Sequence, residues 1–341
     1  MTPRLIFIIM PVLLILAMLG ELLQGPAQIP VAEIISILLH SLGMDTGADI
    51  RPWMASILLD VRLPRVIIGA CAGASLAVCG AVMQGMFRNP LASPSILGVS
   101  SGASLGAVIA IYLGLTSLSV WILPAFAFCG AGITLWIVYR IATQRGHTAM
   151  GTLLLAGVAI GALNVAAASL ILALSLNDWD TGKMIVYWSM GGLEGRTWDH
   201  VRLIVPFALL GCALVLCFSR DLDALLMGEV HAASVGIDVP RTRQHLLIIT
   251  AMLVGVSIAV CGGIGFIGLV VPHILRLILG PRHRYLLPAS ALGGAICLVA
   301  ADLLLRVSLP EKAIPLGVVT ATLGAPFFVF LLLRQRTRGQ L

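Results

Sequence analysis

Three short patterns in this chain have the residue types and spacing of known chemistry. Gly98-Val-Ser100-Ser101-Gly102 matches GxSxG, the spacing that presents a nucleophilic serine on a strained turn. That use needs a strand before the turn, a helix after it, and a histidine and an acid as partners. The flanking runs are apolar and do not alternate, and a lone open strand in lipid leaves its backbone groups unpaired. Ser100 and Ser101 therefore read as a small-residue helix face with hydroxyls bonded to the preceding turn. The alternative is an intramembrane hydrolase pairing this serine with His273. Gly263-Ile-Gly265-Phe-Ile-Gly268 matches GxGxxG, but a dinucleotide site requires an acid about 20 residues further on. His283 stands there, and the next acid is Asp302, so the run reads as a glycine-rich helix break. A phosphate-binding Gly-Lys-Ser/Thr is missing: Lys183 precedes Met184 and Lys312 precedes Ala313. A chain without that lysine cannot hydrolyse ATP by itself, and its expected catalytic, cofactor and metal sets are empty.

Two polar groups stand inside apolar runs. Asp302 and Arg306 are four residues apart, which puts them on one helix face as a structural pair near the outer end. His273 follows Pro272 and reads as a helix-packing residue. Ion-coupled transporters carry relays of buried acids and histidines. An ion-coupled secondary transporter built on Asp302 and His273 is thus a second reading of the chain.

The elements that hold these residues follow from composition. Of 341 residues, 59% are apolar and 11% charged, and the mean hydropathy is +1.06. So few charges cannot cover a soluble core of this size, and an all-α polytopic membrane protein is the consequence. Apolar runs at 5–23, 65–86, 94–113, 119–139, 149–175, 200–219, 244–261, 265–280, 287–305 and 314–333 predict about ten spans. The first has no small-residue cleavage site before Glu21 and reads as a retained span, not a signal peptide. The net charge of +6 comes from basic residues placed singly or in threes, without the basic face that nucleic acid requires. Arg and Lys are denser in the segments that follow an N-terminus inside, among them Arg88, Arg140, Arg145, Arg220, Arg241, Arg276 and Arg338. Asp45, Asp49, Asp60, Asp178, Glu194 and Glu311 fall outside. Both termini are therefore expected in the cytoplasm. None of the seven cysteines forms a CxxC pair, which leaves small packing residues. Gly69 and Gly73, Gly102 and Gly106, and Gly157 and Gly161 recur at spacing four, the pattern of close helix approach.

The longest inner loop, 220–243, carries its own helical pattern. Asp221 or Asp223 can cap a helix whose apolar residues are Leu222, Leu225, Leu226, Val230 and Ala233. Such a helix either fills a partner's groove or lies on its own bundle.

From about residue 55 to 333 the chain resembles the permease subunits of type II ABC importers, which carry ferric siderophores, haem and cobalamin. The resemblance rests on Arg62-Leu-Pro-Arg65, Gly80-Ala-Val-Met-Gln84 with Arg88-Asn-Pro-Leu-Ala-Ser-Pro94, Leu97-Gly-Val-Ser-Ser-Gly-Ala103 and Tyr187-Trp-Ser-Met-Gly-Gly192. It continues in Met227-Gly-Glu229 with Gly236, Gly265-Phe-Ile-Gly-Leu269, Pro272-His-Ile-Leu-Arg276, Ala301-Asp302, Pro315-Leu-Gly317 and Gly324-Ala-Pro326. It implies one permease domain over 1–341, a second copy of the chain, two separate ATP-binding subunits that hold ATP and Mg, and a periplasmic substrate-binding protein. It also implies the bacterial inner membrane. Carried over by position, Arg62, Arg65 and Arg306 would dock the binding protein. Leu225, Met227, Gly228, Glu229, Ala232 and Gly236 would couple to the ATPase, and Met190, Gly191 and Gly192 would gate the path. Arg62 and Arg65 could instead snorkel at the interface. The cargo expected is a bulky iron chelate, with cobalamin as the alternative.

Overall fold

A computed structural model describes residues 3–25, 27–44, 50–144, 147–309 and 314–337. The expected inner residues Arg145 and Arg338 and outer residues Asp45, Asp49, Glu311 and Lys312 lie outside them. The described chain forms fifteen α-helices: α1 (Pro3–Leu23), α2 (Val31–Ser41), α3 (Pro52–Ser56), α4 (Leu63–Met86), α5 (Val99–Tyr112), α6 (Ile122–Ala142), α7 (Met150–Ser175), α8 (Trp179–Ser189), α9 (Trp198–Cys217), α10 (Ser219–Leu226), α11 (Glu229–Ser234), α12 (Val239–Cys261), α13 (Ile267–Leu279), α14 (His283–Ser308) and α15 (Leu316–Thr337). One two-residue ladder, Thr143–Gln144 against His147–Thr148, joins α6 to α7.

The ten predicted spans correspond to α1, α4, α5, α6, α7, α9, α12, α13, α14 and α15. Seven helices among the described residues are long and apolar enough to cross a membrane. Of the other three, α5 and α13 are short apolar helices, and α15 contributes the apolar stretch Leu316–Phe330. Sequence periodicity missed α2 and α8, which are too short to span. It also missed that α3, a π-helical stretch Ile57–Arg62 and α4 form one 35-residue helical run, Pro52–Met86.

The centre is α4. It packs against α9, α12, α13 and α14, and nearly every residue from Ala72 to Met86 is buried. Small residues on all its faces, among them Gly69, Ala72, Gly73, Ala77 and Gly80, let four neighbours come close. Gly73 abuts Gly294 of α14, and Gly80 abuts Gly268 of α13, so a Cβ at either would strike a carbonyl of the facing helix. The small pairs on α5 and α7 work alike: Gly102 and Gly106 face Gly130 and Phe126 of α6, and Gly157 faces Ile96 and Leu97. Gly80→Leu is expected to cost more than about 3 kcal/mol, because backbone cannot yield as a side chain can. Gly132→Leu, with open space around the added Cβ, should be neutral. Thermal unfolding of both variants in detergent checks this.

The peripheral helices are apolar all round. Ile8, Val12 and Leu16 of α1 and Leu155, Val158 and Leu163 of α7 face outward. Cys71, Cys79, Cys129, Cys212, Cys217, Cys261 and Cys297 are all free thiols.

Candidate functional site

Three groups of residues follow one another along the bundle, from the end that the charge pattern puts outside (the outer end below) to the end that it puts inside (the inner end). At the outer end, α1 supplies Glu21, the start of α4 supplies Arg65 with Arg62 just before it, and α14 supplies Asp302 and Arg306. Arg65 grips Asp302 with two hydrogen bonds, Nε to Oδ2 at 2.6 Å and Nη2 to Oδ1 at 2.7 Å. Arg306 donates from Nη1 to Glu21 Oε1 at 2.8 Å, and Glu21 also lies 3.8 Å from Arg65. Arg62 donates to the carbonyl of Leu22 at 2.6 Å and to that of Ala27. The spacing of Asp302 and Arg306 predicts a pair on one helix, and the structure corrects this: each bonds a residue of another helix. A planar guanidinium pairs strongly with a carboxylate when the contact is bidentate, and Arg65 reaches Asp302 that way, side-on through Nε and Nη2, from the facing helix. The arginines expected to face outward are also drawn in. Arg62 is 2% exposed, and the side chains of Arg65 and Arg306 are 14% exposed. Sequence reading took Glu21 only as the end of an apolar run; the missed signal is a lone acid there with three arginines to meet.

Midway, the residues after α8 are threaded between two other chain segments. Gly191 has φ +70° and Gly262 φ +69°. The N–H of Gly192 donates to Cys261 O at 2.7 Å, and that of Gly317 to Gly191 O at 3.3 Å. A Cβ on Gly191, Gly262, Gly263 or Gly317 would collide with main-chain atoms of the facing segment. The end of α8, the break between α12 and α13 and the start of α15 thus meet backbone to backbone, at Gly262 and at Gly263, the first glycine of the run that imitated a dinucleotide motif. Main chain, with no side chain between, forms the contact. Met190 projects from it, 42% exposed. Above it opens a cavity of about 230 Å³, bordered by Arg65, Trp188, Glu194, Arg196, Asp302 and Pro315. Burial pulls the Arg196 guanidinium below its usual value, and its Nε has no partner among the described residues. Neither Arg196 nor Trp188 stands out in sequence, since each acquires its meaning from the cavity.

At the inner end, α10 and α11 form a ledge across the bundle. Leu222 and Leu225 of α10 and Ala232 of α11 are buried against it. Asp223 Oδ1 accepts from both the backbone N–H and Nδ1 of His283, each at 2.8 Å, and so caps α14. Burial pushes the Asp223 carboxyl up, but the two hydrogen bonds from His283 and the nearby charges of His283 and Arg282 together outweigh it, and the carboxyl ends below its usual value. Gly228, at φ +113°, turns the chain between the two helices. Glu229 accepts from Arg243 Nη2 at 2.6 Å. Met227, Val230 and Val235 are displayed, at 70%, 85% and 57% exposure. Gly236, φ +88°, is exposed and ends the ledge. One stripe of the 220–243 segment lies on the bundle, as the second reading has it, and another faces out. Leu225 and Ala232, two of the positions that the resemblance carries over to ATPase coupling, belong to the first stripe and are buried.

The Arg243 hydrogen bond pulls Glu229 below the ordinary carboxylate value. A carboxyl lowered on folding stabilises above its unfolded titration, and that contribution is lost as pH falls through the lowered value. For this half-exposed pair it amounts to less than about 1 kcal/mol. Arg243→Gln should return the Glu229 titration to the usual range, read by carbon-13 NMR of labelled glutamate.

The hydrolase residues do not assemble. Ser101 donates to Gly98 O at 2.8 Å and lies 3.4 Å from Asn164 Nδ2, which also bonds Thr134 at 3.0 Å. Both ring nitrogens of His273 are without partners among the described residues. No group of three or more His, Cys, Asp or Glu side chains fit for a metal occurs among the described residues.

Against known proteins, the profile of the FecCD transport family matches residues 13–334. A cobalamin import system permease of Halobacterium salinarum is 40% identical over 96% of this chain and 95% of its own length. The Fe(3+) dicitrate transport system permease FecD of Escherichia coli is 45% identical over 82% of this chain and 86% of its own. A solved metal-chelate type ABC transporter in an inward-facing conformation superposes with a TM-score of 0.85, at 30% identity, over 97% of this chain and 99% of its own.

Proposed function

This chain belongs to the FecCD transport family of ABC importer permeases, and from that we propose that it is the membrane subunit of an importer of bulky iron chelates, ferric siderophore or haem. The observation that carries the coupling part of this reading is the ledge of α10 and α11. Its apolar stripe, Met227, Val230 and Val235, is displayed on a backbone that Leu222, Leu225, Asp223 and the Glu229–Arg243 pair hold rigid. A half-apolar ledge so braced would transmit a push, and the sequence carries no P-loop lysine with which to generate one. Two ATP-binding subunits, holding ATP and Mg, would seat on residues 220–243 from the cytoplasm. The chain would act as a single permease domain, 1–341, paired with a second copy around the path and set in the bacterial inner membrane with both termini inside.

The glycine junction at Met190–Gly192 would gate that path, and the cavity above it would receive cargo from a periplasmic binding protein. Arg62, Arg65 and Arg306 remain our docking residues. An acid of the binding protein must compete there with Glu21 and Asp302, so docking and the order of the outer cluster would be linked. Cargo is the least constrained element, because the relatives' names include cobalamin and ferric dicitrate. A cobalamin importer is accordingly the second reading.

Gentle co-purification of a tagged copy from its native membrane, followed by mass spectrometry, tests the proposal. A P-loop ATPase recovered near one-to-one supports it, and the accompanying binding protein then identifies the chelate by direct titration. Transport without ATP by the chain alone would overturn it in favour of the ion-coupled reading.

A further inference from the structure

A second cavity, of about 550 Å³, lies in a groove between α6 and α12. Leu135, Trp136 and Tyr139 form one wall, and Leu247, Ala251 and Met252 the other. Arg140 and Gln244 close one end. That end is the inner one, because Arg243, beside Gln244, reaches Glu229 on the ledge. Arg140 is exposed, and none of the ion pairs among the described residues includes it. Trp136, 63% exposed, and Tyr139 stand one turn and less from it. An apolar trough with aromatic groups near one end and a free cation at its rim has the order of polarity of a lipid bilayer's interface. Its length agrees: from Phe128, at the far end, to Arg140, α6 rises about 18 Å. One leaflet's hydrocarbon is about half of a 30 Å core.

We infer that this groove is a binding site for an anionic phospholipid of the cytoplasmic leaflet, its acyl chain along α6 and α12 and its phosphate on Arg140. The charge at the rim selects the headgroup, since a single guanidinium at a membrane surface attracts an anionic lipid and leaves a zwitterionic one nearly unaffected. Gly132 lies in the trough floor with open space above it, which gives the acyl chain room and gives the test its blocking variant. The assignment rests on the cytoplasmic placement of the ledge proposed above.

The test is native mass spectrometry of the purified full-length chain after incubation with equal amounts of phosphatidylglycerol and phosphatidylcholine of matched chains. The wild type is expected to retain the first bound phosphatidylglycerol about fivefold over phosphatidylcholine, the attraction of one surface cation. Arg140→Gln should bring that ratio near one. Gly132→Leu should lower retention of both lipids while its melting temperature stays at the wild-type value. Equal retention by the wild type overturns the inference, as does a preference that survives Arg140→Gln. Dimers lost on Gly132→Leu would overturn it by making the groove a contact between copies. Lipid retention is read without ATPase or cargo, so a flat response leaves the importer reading standing, and failed coupling leaves the lipid result standing.

Discussion

Asp302→Ala is expected to destabilise the chain by about 3–5 kcal/mol, the cost of leaving a buried charge without its partner. The charge left behind is Arg65, whose side chain is 14% exposed and whose bidentate partner would be gone, with only the longer 3.8 Å approach to Glu21, already bonded to Arg306, remaining. Removing both charges should cost far less, because an apolar pair of similar volume needs no hydrogen bonds. Arg65→Met combined with Asp302→Ala should therefore recover more than half of the loss. Unfolding of the purified chain in detergent, run as a double-mutant cycle, reads the coupling directly. Additive single losses would show that the pair contributes nothing jointly. The same residue separates the two transport readings. An ion-coupled transporter requires the Asp302 carboxylate for flux, so stable Asp302→Asn would abolish a proton-driven current. The importer reading expects an effect on stability, with uptake still driven by ATP.

Val230→Asp is expected to break coupling with the fold intact. Val230 is 85% exposed on α11, and its neighbours on the displayed stripe are Met227 and Val235. A carboxylate there has water in the free chain and none in an apolar groove. Central contacts of this kind carry about 2 kcal/mol or more, close to thirtyfold in affinity. Co-purified ATPase should fall accordingly, and ATP-driven uptake in proteoliposomes should drop toward background. Leu225→Asp, two residues before Met227 but 2% exposed, should instead fail to fold. Normal uptake by Val230→Asp would remove the ledge as the transmission point and return residues 220–243 to a purely structural role.

The different fates of these neighbours show where sequence reading succeeds and where it stops. The spacing of Leu222, Leu225 and Val230 announces a helix, and the structure has one interrupted at Gly228. No pattern within the loop says which apolar residues meet the bundle, because Gly228 at φ +113° rotates α11 relative to α10. The outer cluster behaves alike. Asp302 and Arg306 satisfy a local rule four residues apart, yet Asp302 bonds Arg65 from 237 positions away and Arg306 bonds Glu21 from 285. A spacing rule ranks only the partners on one helix.

By itself, the sequence determined that the chain is a helical membrane protein of about ten spans without a P-loop motif, and, through its motifs, the family to which it belongs. These follow from composition and short-range patterning: lipid demands long apolar helices, and a P-loop demands its lysine. Tertiary structure alone decided which charges pair, which glycines touch and which side of α11 is displayed. Those outcomes depend on residues of different helices, up to 285 positions apart, arriving at one place. The crowding of α4 by four neighbours, at glycines that no side chain could replace, is what brings them there.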